Sequence, residues 1–285
     1  MHIASEISLP KQNLRTRFAP TPSGYLHWGN AFSFVLTWLL ARKHAGKILL
    51  RIDDLDAARK RPEFVEDIFR SIEWLGLDFD EGPTGPDEFE KRFSQFHRRE
   101  LYQEALSQLK RSGALFACRC TRSSIQRAEG GMHPASCGNA GTAFDSPEVA
   151  WRVATAETDA VAWSDVDGSD RVGDLHETMR DFVVRKKDQT PAYQLASLTD
   201  DLHFDVNFIV RGEDLVDSTA AQRLLATKLG VDRFLDAKFL HHCLVTDVEG
   251  EKLSKSGGAA SLKAMRESLA EPTRCLLYTS DAADE

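Results

Sequence analysis

The stretch Arg17-Phe-Ala-Pro-Thr-Pro-Ser-Gly-Tyr-Leu-His27-Trp-Gly-Asn30 decides the fold of this chain. It is a turn rich in proline and glycine that follows a short extended run and precedes an apolar helix pattern over residues 30–44. Such a turn brings backbone N–H groups and a helix N-terminus against an anion. Gly29 allows the backbone to approach a nucleotide closely, and the side chains of His27 and Asn30 can donate to a phosphate. The stretch therefore predicts a nucleotide-phosphate site, to which Pro20 also contributes.

A second short segment, Lys252-Leu-Ser-Lys-Ser256, has the composition of a phosphate clamp. It lies in a loop beside glycines, where the ammonium groups of Lys252 and Lys255 can close over a triphosphate. Lys255 is the main candidate for stabilising negative charge on the phosphates, and Ser254 is a second candidate ATP contact. A Lys/Ser loop by itself is usually only solvated, so this prediction depends on the first stretch occurring in the same chain.

Hydrophobic periodicity predicts an α/β fold with a parallel sheet of Rossmann type. Residues 47–53 form a buried strand pattern, and Pro62 opens an amphipathic helix that ends at Gly76. A strand, a helix, a second strand and a second helix with short connections indicate a parallel sheet.

The middle of the chain departs from this alternation and predicts an insertion. Residues 82–96 are expected to form a loop, and residues 97–111 an amphipathic helix with an apolar stripe on Leu101, Ala105 and Leu109.

A later helix is expected to begin at an N-cap on Ser218 and to end at Leu229. Further strand patterns occur at 149–153, 181–185, 205–211 and 239–245.

Composition and charge limit the possible classes of protein. The 285 residues are 42% hydrophobic and 28% charged, which suits one or two globular domains. No apolar run reaches the roughly 20 residues of a membrane span, and the N-terminus lacks an apolar secretory core. We therefore expect a cytoplasmic protein with no membrane partner. The net charge of −8 argues against avid non-specific nucleic-acid binding more than against one specific RNA.

Three of the 5 cysteines cluster with a histidine inside the insertion. Cys118, Cys120, His133 and Cys137 have the residue types and spacing of a tetrahedral S₃N zinc site. Because no export signal is visible, metal binding is favoured over disulfides. Zinc ligation could contribute on the order of 10 kcal/mol to the folding of a segment with little core of its own. Buried free cysteines beside a chance histidine are the alternative.

The last segment, residues 271–285, differs in character from the rest of the chain. It resembles a translated sequencing adapter, so we expect it to be a non-native tail and leave it out of the fold prediction. A natural polar tail is the alternative. On the first interpretation the native C-terminus is missing, and the lack of later domains decides nothing about function.

The two phosphate motifs together resemble the paired signatures of the class I aminoacyl-tRNA synthetases. The sequence pattern Arg-Phe-Ala-Pro-x-Pro-x-Gly-x-Leu-His is similar to the first motif of the glutamyl/glutaminyl branch. His27-Trp-Gly-Asn30 stands where the family has His-Ile-Gly-His, and the Lys252 segment has Leu where the family has Met. The resemblance covers roughly residues 15–268. It implies a class I catalytic domain split into 14–96 and 191–270, with an inserted acceptor-binding-like domain at 97–190 that carries the zinc loop.

The resemblance also implies a pocket for L-glutamate and a requirement for ATP with Mg²⁺. Arg17 and Tyr193 would bind the side-chain carboxylate, with Ala19 beside them, and Arg211 would lie near the α-carboxylate. Asp53 would receive the α-ammonium at a position where the family usually has Glu. The shorter side chain implies either a small shift or a water bridge.

Two features resemble the tRNA-modifying members of the branch, the glutamyl-Q tRNA(Asp) synthetases. One is the loop from Ser124-Ile-Gln126 to Cys137, in which His133 takes the place of a tyrosine common in those relatives. The other is Leu215, where glutamyl-tRNA synthetases commonly have His. Such an enzyme would transfer activated glutamate to the queuosine in the anticodon loop of tRNA(Asp), and we expect a monomer.

Three alternatives stay open on the sequence. The first is a glutamyl-tRNA synthetase for tRNA(Glu) whose anticodon-binding half was lost where the sequence breaks off. The second is an inactive synthetase-like module that binds RNA or nucleotide, against which the intact Lys255, His27 and paired arginines argue. The third is a generic nucleotidylyltransferase, which would explain His27 and the lysine loop but neither the two arginines nor the zinc loop.

Overall fold

Short parallel strands lie at the centre of this computed structural model, which describes residues 9–10, 13–128, 132–157, 159–245 and 261–268. Within those ranges the strands are β1 Arg15–Phe18, β2 Lys47–Leu50, β3 Leu115–Cys118, β4 Ala150–Val153, β5 Ala160–Ser164, β6 Asp170–Asp174, β7 Val183–Arg185, β8 Phe208–Gly212 and β9 Lys238–His242. The α-helices are α1 Trp28–Lys43, α2 Pro62–Trp74, α3 Pro86–Glu88, α4 Arg99–Arg111, α5 Arg122–Gln126, α6 Leu175–Thr178, α7 Tyr193–His203, α8 Val216–Leu229, α9 Asp232–Leu235 and α10 Leu262–Glu267. None of these helices is long and apolar enough to cross a membrane.

The parallel sheet predicted from the sequence is present as two strand pairs joined through Asn207. β1 pairs in parallel with β2, and β8 pairs in parallel with β9. The Oδ1 of Asn207 accepts from the N–H of Arg15 at 2.8 Å, and the N–H of Asn207 donates to the Arg15 carbonyl at 3.0 Å. The strands therefore lie side by side in the order β2-β1-β8-β9. This order brings the carboxyl ends of strands from both halves of the chain to one edge, where ligands bind in open α/β sheets.

Helix α1 packs against the parallel strands and ends where the sequence predicts. The N–H of Gly46 donates to the Ala41 carbonyl at 2.8 Å. A Cβ on Gly46 would lie 2.2 Å from Cδ2 of Leu14, so a larger residue there would force the buried Leu14 side chain to move. Helix α2 begins at Pro62, as predicted, because proline lacks only an N–H that the first turn would leave unpaired.

The middle of the chain forms antiparallel sheets beside the parallel one. β4 pairs with β3 and with β7, and β5 pairs with β6, all antiparallel. Apolar residues of these strands share one core with α4, α7 and α8, in which Leu106, Trp151, Leu195 and Leu225 are buried. A second core joins the parallel strands to α1 and α2. The division of the chain into domains stays a prediction.

The apolar stripe predicted for α4 is confirmed at Leu109 and is wrong at Leu101. Tyr102, Leu106 and Leu109 form its buried face, whereas Leu101 is 37% exposed. The hydroxyl of Tyr102 donates to Oδ1 of Asp200 at 2.7 Å. A tyrosine can be buried when its hydroxyl is paired in this way, and apolar periodicity does not reveal that pairing.

Some predicted boundaries also differ from the structure. The sequence predicts a loop over 82–96, but α3, a π-helical turn at Phe89–Phe93 and the start of a 3₁₀ turn at Gln95–Arg98 lie there. The helix predicted to start at Ser218 begins at Val216, and Ser218 is buried inside it. The serine that the sequence predicts as an N-cap is thus an interior residue of the helix. Serine is also tolerated inside a helix where a neighbouring polar group can pair with it.

Candidate active site and metal centre

The turn between β1 and α1 holds His27 and Asn30 at the N-terminus of the helix. His27 is the N-cap residue, and its Nδ1 accepts from the N–H of Gly29 at 3.1 Å. The backbone N–H of His27 donates to Oδ1 of Asn30 at 3.1 Å. This reciprocal capping fixes both side chains where the helix dipole favours an anionic group. A Cβ on Gly29 would lie 3.1 Å from Cε1 of His27, so glycine also leaves room for the ring.

Backbone hydrogen bonds hold the segment before this turn against the chain that follows β2. The carbonyl of Phe18 accepts from the N–H of Arg51 at 2.9 Å, and the carbonyl of Pro20 accepts from the N–H of Asp53 at 2.9 Å. Pro20 is buried and Ala19 is half-buried. The predicted ATP contact Pro20 and the predicted glutamate contact Ala19 therefore lie beside Asp53 at the edge of the sheet.

Four charged residues form a buried ion-pair network at this edge. The Nε of Arg17 donates to Oδ1 of Asp201 at 3.1 Å, and Nη1 of Arg51 donates to the same oxygen at 2.6 Å. Arg51 also donates to both oxygens of Asp53, at 2.7 Å from Nε and at 3.0 Å from Nη2. Buried charges are tolerated only when they are paired in this way.

The carboxylate of Asp53 is thus already paired with a cation of the protein. The sequence predicts it as the acceptor of a substrate ammonium, and the structure places the guanidinium of Arg51 against both of its oxygens. Burial raises the pKa of Asp53 above its ordinary value, although the charge of Arg51 acts to lower it. Each carboxylate oxygen has two lone pairs, so a further donor can bind beside Arg51. The role of Asp53 towards an ammonium group stays a prediction.

Asp200 and Asp201 are site residues that the motifs did not indicate. Asp200 accepts from Nε and Nη2 of Arg98 at 2.7 and 3.0 Å, from Gln95 at 2.9 Å and from Tyr102 at 2.7 Å. Both aspartates belong to α7 and are 0% exposed. Two adjacent carboxylates in a largely apolar helix were the available signal, because carboxylates buried there need cationic partners.

The guanidinium of Arg211, near the carboxyl end of β8, is only partly paired. Its Nη1 donates to Oγ1 of Thr219 at 3.1 Å and to Oε1 of Gln222 at 2.9 Å. Its Nε and Nη2 are buried and have no hydrogen-bond partner among the residues that the structure describes. Arg211 is 3% exposed, and burial lowers its pKa. A buried cation with two open donors on one edge is suited to a carboxylate.

Tyr193 and Arg17 lie within electrostatic range of this guanidinium. After burial, Tyr193, Arg17 and Asp201 are the neighbouring residues with the largest influence on the pKa of Arg211. Tyr193 begins α7 and is 39% exposed. The structure therefore brings the three predicted carboxylate partners, Arg17, Tyr193 and Arg211, into one region.

The segment Lys252-Leu-Ser-Lys-Ser256 lies outside the described residues, together with three predicted site residues, Lys252, Ser254 and Lys255. The residues on either side of this gap contact α1 or the turn before it. Nε2 of His242 lies 2.6 Å from Oγ of Ser33 in α1. The N–H of Leu262 donates to the carbonyl of Leu26 at 2.8 Å. Both ends of the gap therefore lie near the turn that holds His27.

The four predicted metal ligands converge on one cluster, which confirms that part of the prediction. One ligand atom from each of Cys118, Cys120, His133 and Cys137 lies within 4.8 Å of the others. Nε2 of His133 is 3.1 Å from Sγ of Cys118, and Sγ of Cys120 is 3.6 Å from Sγ of Cys137. A tetrahedral zinc with bonds of about 2.3 Å separates its sulfur ligands by about 3.8 Å. The donor set and its separations therefore fit a zinc ion.

Asp181, which the sequence did not indicate, orients the histidine of this cluster. Nδ1 of His133 lies 2.9 Å from Oδ2 of Asp181, and Oδ1 of Asp181 accepts from the N–H of Thr155 at 3.1 Å. The carboxylate therefore keeps the ring proton on Nδ1, and the unprotonated Nε2 faces the cysteines. Burial acts to raise the pKa of Cys118, but hydrogen bonds from His133 and Cys120 lower it to about 7. A lowered pKa favours the thiolate at Cys118, which is the form that binds metals, whereas burial and the neighbouring thiol of Cys120 raise the pKa of Cys137.

Comparisons with known proteins agree with this geometry. The family described as tRNA synthetases class I (E and Q), catalytic domain, matches residues 13–158 and 150–274. The glutamyl-Q tRNA(Asp) synthetase of Symbiobacterium thermophilum is 36% identical to this chain, over 94% of the chain and 87% of its own length. The protein of the same name from Parasynechococcus marenigrum is 40% identical, over 89% of this chain and 77% of its own length.

A solved structure shares the fold over about half of its own length. The crystal structure of a glutamate tRNA ligase from Elizabethkingia meningosepticum, in complex with its amino acid, matches with a TM-score of 0.68 and 25% identity. The match covers 87% of this chain and 53% of that one. The family match, the two relatives and the shared fold each cover most of the chain, and they agree with the motifs at His27 and Lys252. The chain therefore belongs to the class I glutamyl- and glutaminyl-tRNA synthetases.

Proposed function

We propose that this chain activates L-glutamate with ATP as glutamyl-adenylate and transfers the glutamyl group to the queuosine of tRNA(Asp). The observation that carries the amino-acid part is the buried edge of Arg211, whose Nε and Nη2 have no partner within the described ranges. A carboxylate supplies the two acceptors that such an edge requires. The two relatives named for tRNA(Asp), at 36% and 40% identity, support the choice of acceptor.

A dicarboxylic amino acid suits the charges of this region. Arg17 and Arg211 repel each other, which contributes to the lowered pKa of Arg211. Anions beside the two guanidinium groups relieve that repulsion, and glutamate carries two carboxylates. Arg17 and Tyr193 bind the side-chain carboxylate in this proposal, with Ala19 beside them, and Arg211 binds the α-carboxylate. Asp53 accepts from the α-ammonium through the lone pairs that Arg51 leaves open.

ATP lies at the N-terminus of α1 in this proposal, where His27, Gly29 and Asn30 meet its phosphates and Pro20 lines the site. An oxygen of the α-carboxylate attacks the α-phosphorus, and pyrophosphate leaves. Lys255 stabilises the negative charge that is redistributed over the phosphates, with Lys252 and Ser254 as further contacts. The contacts of His242 with Ser33 and of Leu262 with Leu26 support this placement, because they hold the flanks of the lysine segment near the same turn.

The two metal ions have separate roles in the proposal. One structural Zn²⁺ is held by Cys118, Cys120, His133 and Cys137, and Mg²⁺ enters with ATP. Cys118 ends β3 and Cys137 belongs to a 3₁₀ helix, so zinc would tie the loop between them to the antiparallel sheet.

We further propose a cytoplasmic monomer with a split catalytic domain. The catalytic domain comprises 14–96 and 191–270, and the inserted domain, 97–190, contacts the tRNA. The contacts of Asn207 with Arg15 support the joining of the two catalytic parts, because they connect the first strand of one part to the first strand of the other.

Charging of tRNA(Glu) is the second candidate function. It is favoured by the structural likeness to a glutamate tRNA ligase. Both candidates use the same activation of glutamate and differ only in the RNA acceptor, so the residues that bind glutamate and ATP do not discriminate between them.

Transfer assays with labelled glutamate separate these functions. Purified protein is incubated with ATP and Mg²⁺ and with one of three RNAs: tRNA(Asp) containing queuosine, tRNA(Asp) lacking it, or tRNA(Glu). We expect label only on the first RNA. Label on tRNA(Glu) alone would replace the proposal with the second candidate. A folded protein that forms no adenylate in any reaction would instead be an inactive binding module.

A further inference from the structure

A line of buried polar side chains runs from the turn between β5 and β6 to the guanidinium of Arg211. Nδ1 of His241 lies 3.0 and 2.9 Å from the two carboxylate oxygens of Asp165. Nε2 of the same ring lies 2.8 Å from Oγ1 of Thr219, which accepts from Nη1 of Arg211 at 3.1 Å. These four residues are between 0% and 4% exposed, so the line is closed to bulk water.

We infer that Asp165, His241 and Thr219 are positioning residues, which orient Arg211 so that its Nε–Nη2 edge receives a carboxylate of the amino-acid substrate. This inference rests on the proposed function. A guanidinium binds a carboxylate in bidentate fashion through two parallel N–H groups, and Nε with Nη2 is such a pair. Thr219 and Gln222 both accept from Nη1, which fixes the opposite side of the group and leaves that pair open.

The far end of the line is held by several independent hydrogen bonds. Asp165 also accepts from Nε1 of Trp163 at 3.0 Å, from Nε of Arg171 at 3.1 Å and from the backbone N–H of His241 at 3.1 Å. Burial acts to raise the pKa of Asp165, but its bonds to His241 and Trp163 hold the pKa below the ordinary value. The carboxylate therefore stays ionised and keeps the His241 ring in one orientation.

The hydroxyl of Thr219 is the member of the line that contacts Arg211 directly. Its Oγ1 lies 3.1 Å from the carbonyl of Leu215, which can accept the hydroxyl proton. A hydroxyl has one proton and two lone pairs, so Oγ1 can accept from Arg211 while its proton goes to the Leu215 carbonyl or to Nε2 of His241. A side chain without that oxygen would leave Nη1 of Arg211 with Gln222 alone.

The ring of Phe239 supports both ends of this contact. It stacks on the ring of His241 with an interplanar angle of 11° and a centroid distance of 6.1 Å. The guanidinium carbon of Arg211 lies 5.8 Å from the centroid of the same phenyl ring. The phenyl ring of Phe239 limits movement of the Arg211 guanidinium out of the guanidinium plane. The hydrogen bond to Thr219 limits rotation of the guanidinium within that plane. The polar line therefore adds a constraint that apolar packing does not supply.

The test compares Thr219→Val, which removes the oxygen at nearly constant volume, with Thr219→Ser, which keeps it. ATP–pyrophosphate exchange gives KM for glutamate and kcat, and thermal unfolding checks the fold. We expect Thr219→Val to raise the glutamate KM about tenfold with a much smaller change in kcat, since one hydrogen bond to a charged group is lost. Thr219→Ser should stay near wild type. Asp165→Asn should raise KM in the same sense, whereas Asp167→Asn, an exposed control in the same turn, should not.

A double-mutant cycle separates positioning from a merely structural role. If Thr219 acts through Arg211, then Thr219→Val should add nothing to the KM of an Arg211→Gln protein. An equal KM rise in both backgrounds, or a wild-type KM in both Thr219→Val and Asp165→Asn proteins, would overturn the inference while leaving the proposed function intact. A folded wild-type protein that exchanges no pyrophosphate with glutamate would overturn the proposed function, and this inference with it.

Discussion

Nδ1 of His133 lies 2.9 Å from Oδ2 of Asp181, and this pair determines which ring nitrogen faces the three cysteines. Asp181 has a φ of +51°, a conformation that aspartate and asparagine adopt more readily than most residues. Its other oxygen is held by the N–H of Thr155 at 3.1 Å. The chain thus holds an aspartate in an unusual backbone conformation where its carboxylate can orient a metal ligand.

Purified protein should therefore contain about one equivalent of zinc, and Asp181→Asn should bind it about 10- to 100-fold more weakly. Asparagine tolerates the positive φ and keeps an acceptor, so the lost charge is the main change. Competition with a chromophoric chelator measures the affinity. Asp145→Asn, an exposed change of the same charge within the predicted insertion, should bind as wild type does. Protein with intact activity and almost no metal would contradict the assignment.

The buried network around Arg51 should have a large effect on stability. Arg51→Met leaves Asp53 and part of Asp201 unpaired in a site where Arg51 is 3% exposed, so we expect a loss of about 3–5 kcal/mol. Arg59→Met breaks an exposed pair with Asp56 and should cost less than about 1 kcal/mol. Urea unfolding of the two variants measures the difference. Equal and small losses would show that the network contributes little.

The sequence predicts the motif-bearing turns because their residues act locally. The start of a helix at Pro62 and the placement of His27 in a turn before a helix each follow from neighbours within one turn of the chain. The zinc ligands are also recognisable, because the ligand types and spacing restrict the chemistry. Such features need no knowledge of how distant segments meet.

The partners of the buried polar residues could not be predicted in the same way. Asp201 pairs with Arg17 across 184 positions, and Asp165 pairs with His241 across 76. A polar residue in an apolar pattern shows only that it needs a partner. Which partner it has depends on the order β2-β1-β8-β9 and on the antiparallel sheets, which no local pattern determines.

Lys255→Ala should lower the rate of adenylate formation by roughly two to three orders of magnitude, since it removes a cation that stabilises charge in the transition state. The glutamate KM should change far less. Lys263→Ala is the matched control, because the ammonium of Lys263 pairs with Glu267 at 3.0 Å on the surface of α10. ATP–pyrophosphate exchange measures both constants. A kcat within a few-fold of wild type would remove Lys255 from the proposed clamp.

Arg17→Lys should reduce kcat/KM for glutamate by about 10- to 100-fold. Lysine keeps a positive charge beside Asp201 but lacks the planar donors that match a carboxylate. Arg15→Lys, at the start of the same strand, changes a partly exposed pair with Glu81 and should have little effect. Glutamine should be a poor substrate for the wild type, because an amide does not neutralise the guanidinium. Efficient use of glutamine would show that Arg17 does not recognise the side-chain carboxylate.

We expect the chain to catalyse exchange between pyrophosphate and ATP in the presence of glutamate when no tRNA is added. The resemblance to glutamyl-Q enzymes implies this, whereas true glutamyl-tRNA synthetases are understood to need their cognate tRNA first. The orientation of Arg17 by Asp201 and of Arg211 by Thr219 and Gln222 supports it, because the chain itself supplies these contacts.

Exchange is measured first with glutamate alone, then with tRNA(Asp) containing queuosine and with tRNA(Glu). We expect the rate with glutamate alone to be close to the rates with either RNA, because the proposed glutamate pocket needs no RNA contact to orient its arginines. The Lys255→Ala protein, assayed in parallel, gives the background. Exchange that begins only after tRNA(Glu) is added would instead mean that RNA completes the glutamate site, and the second candidate function would then describe this chain better.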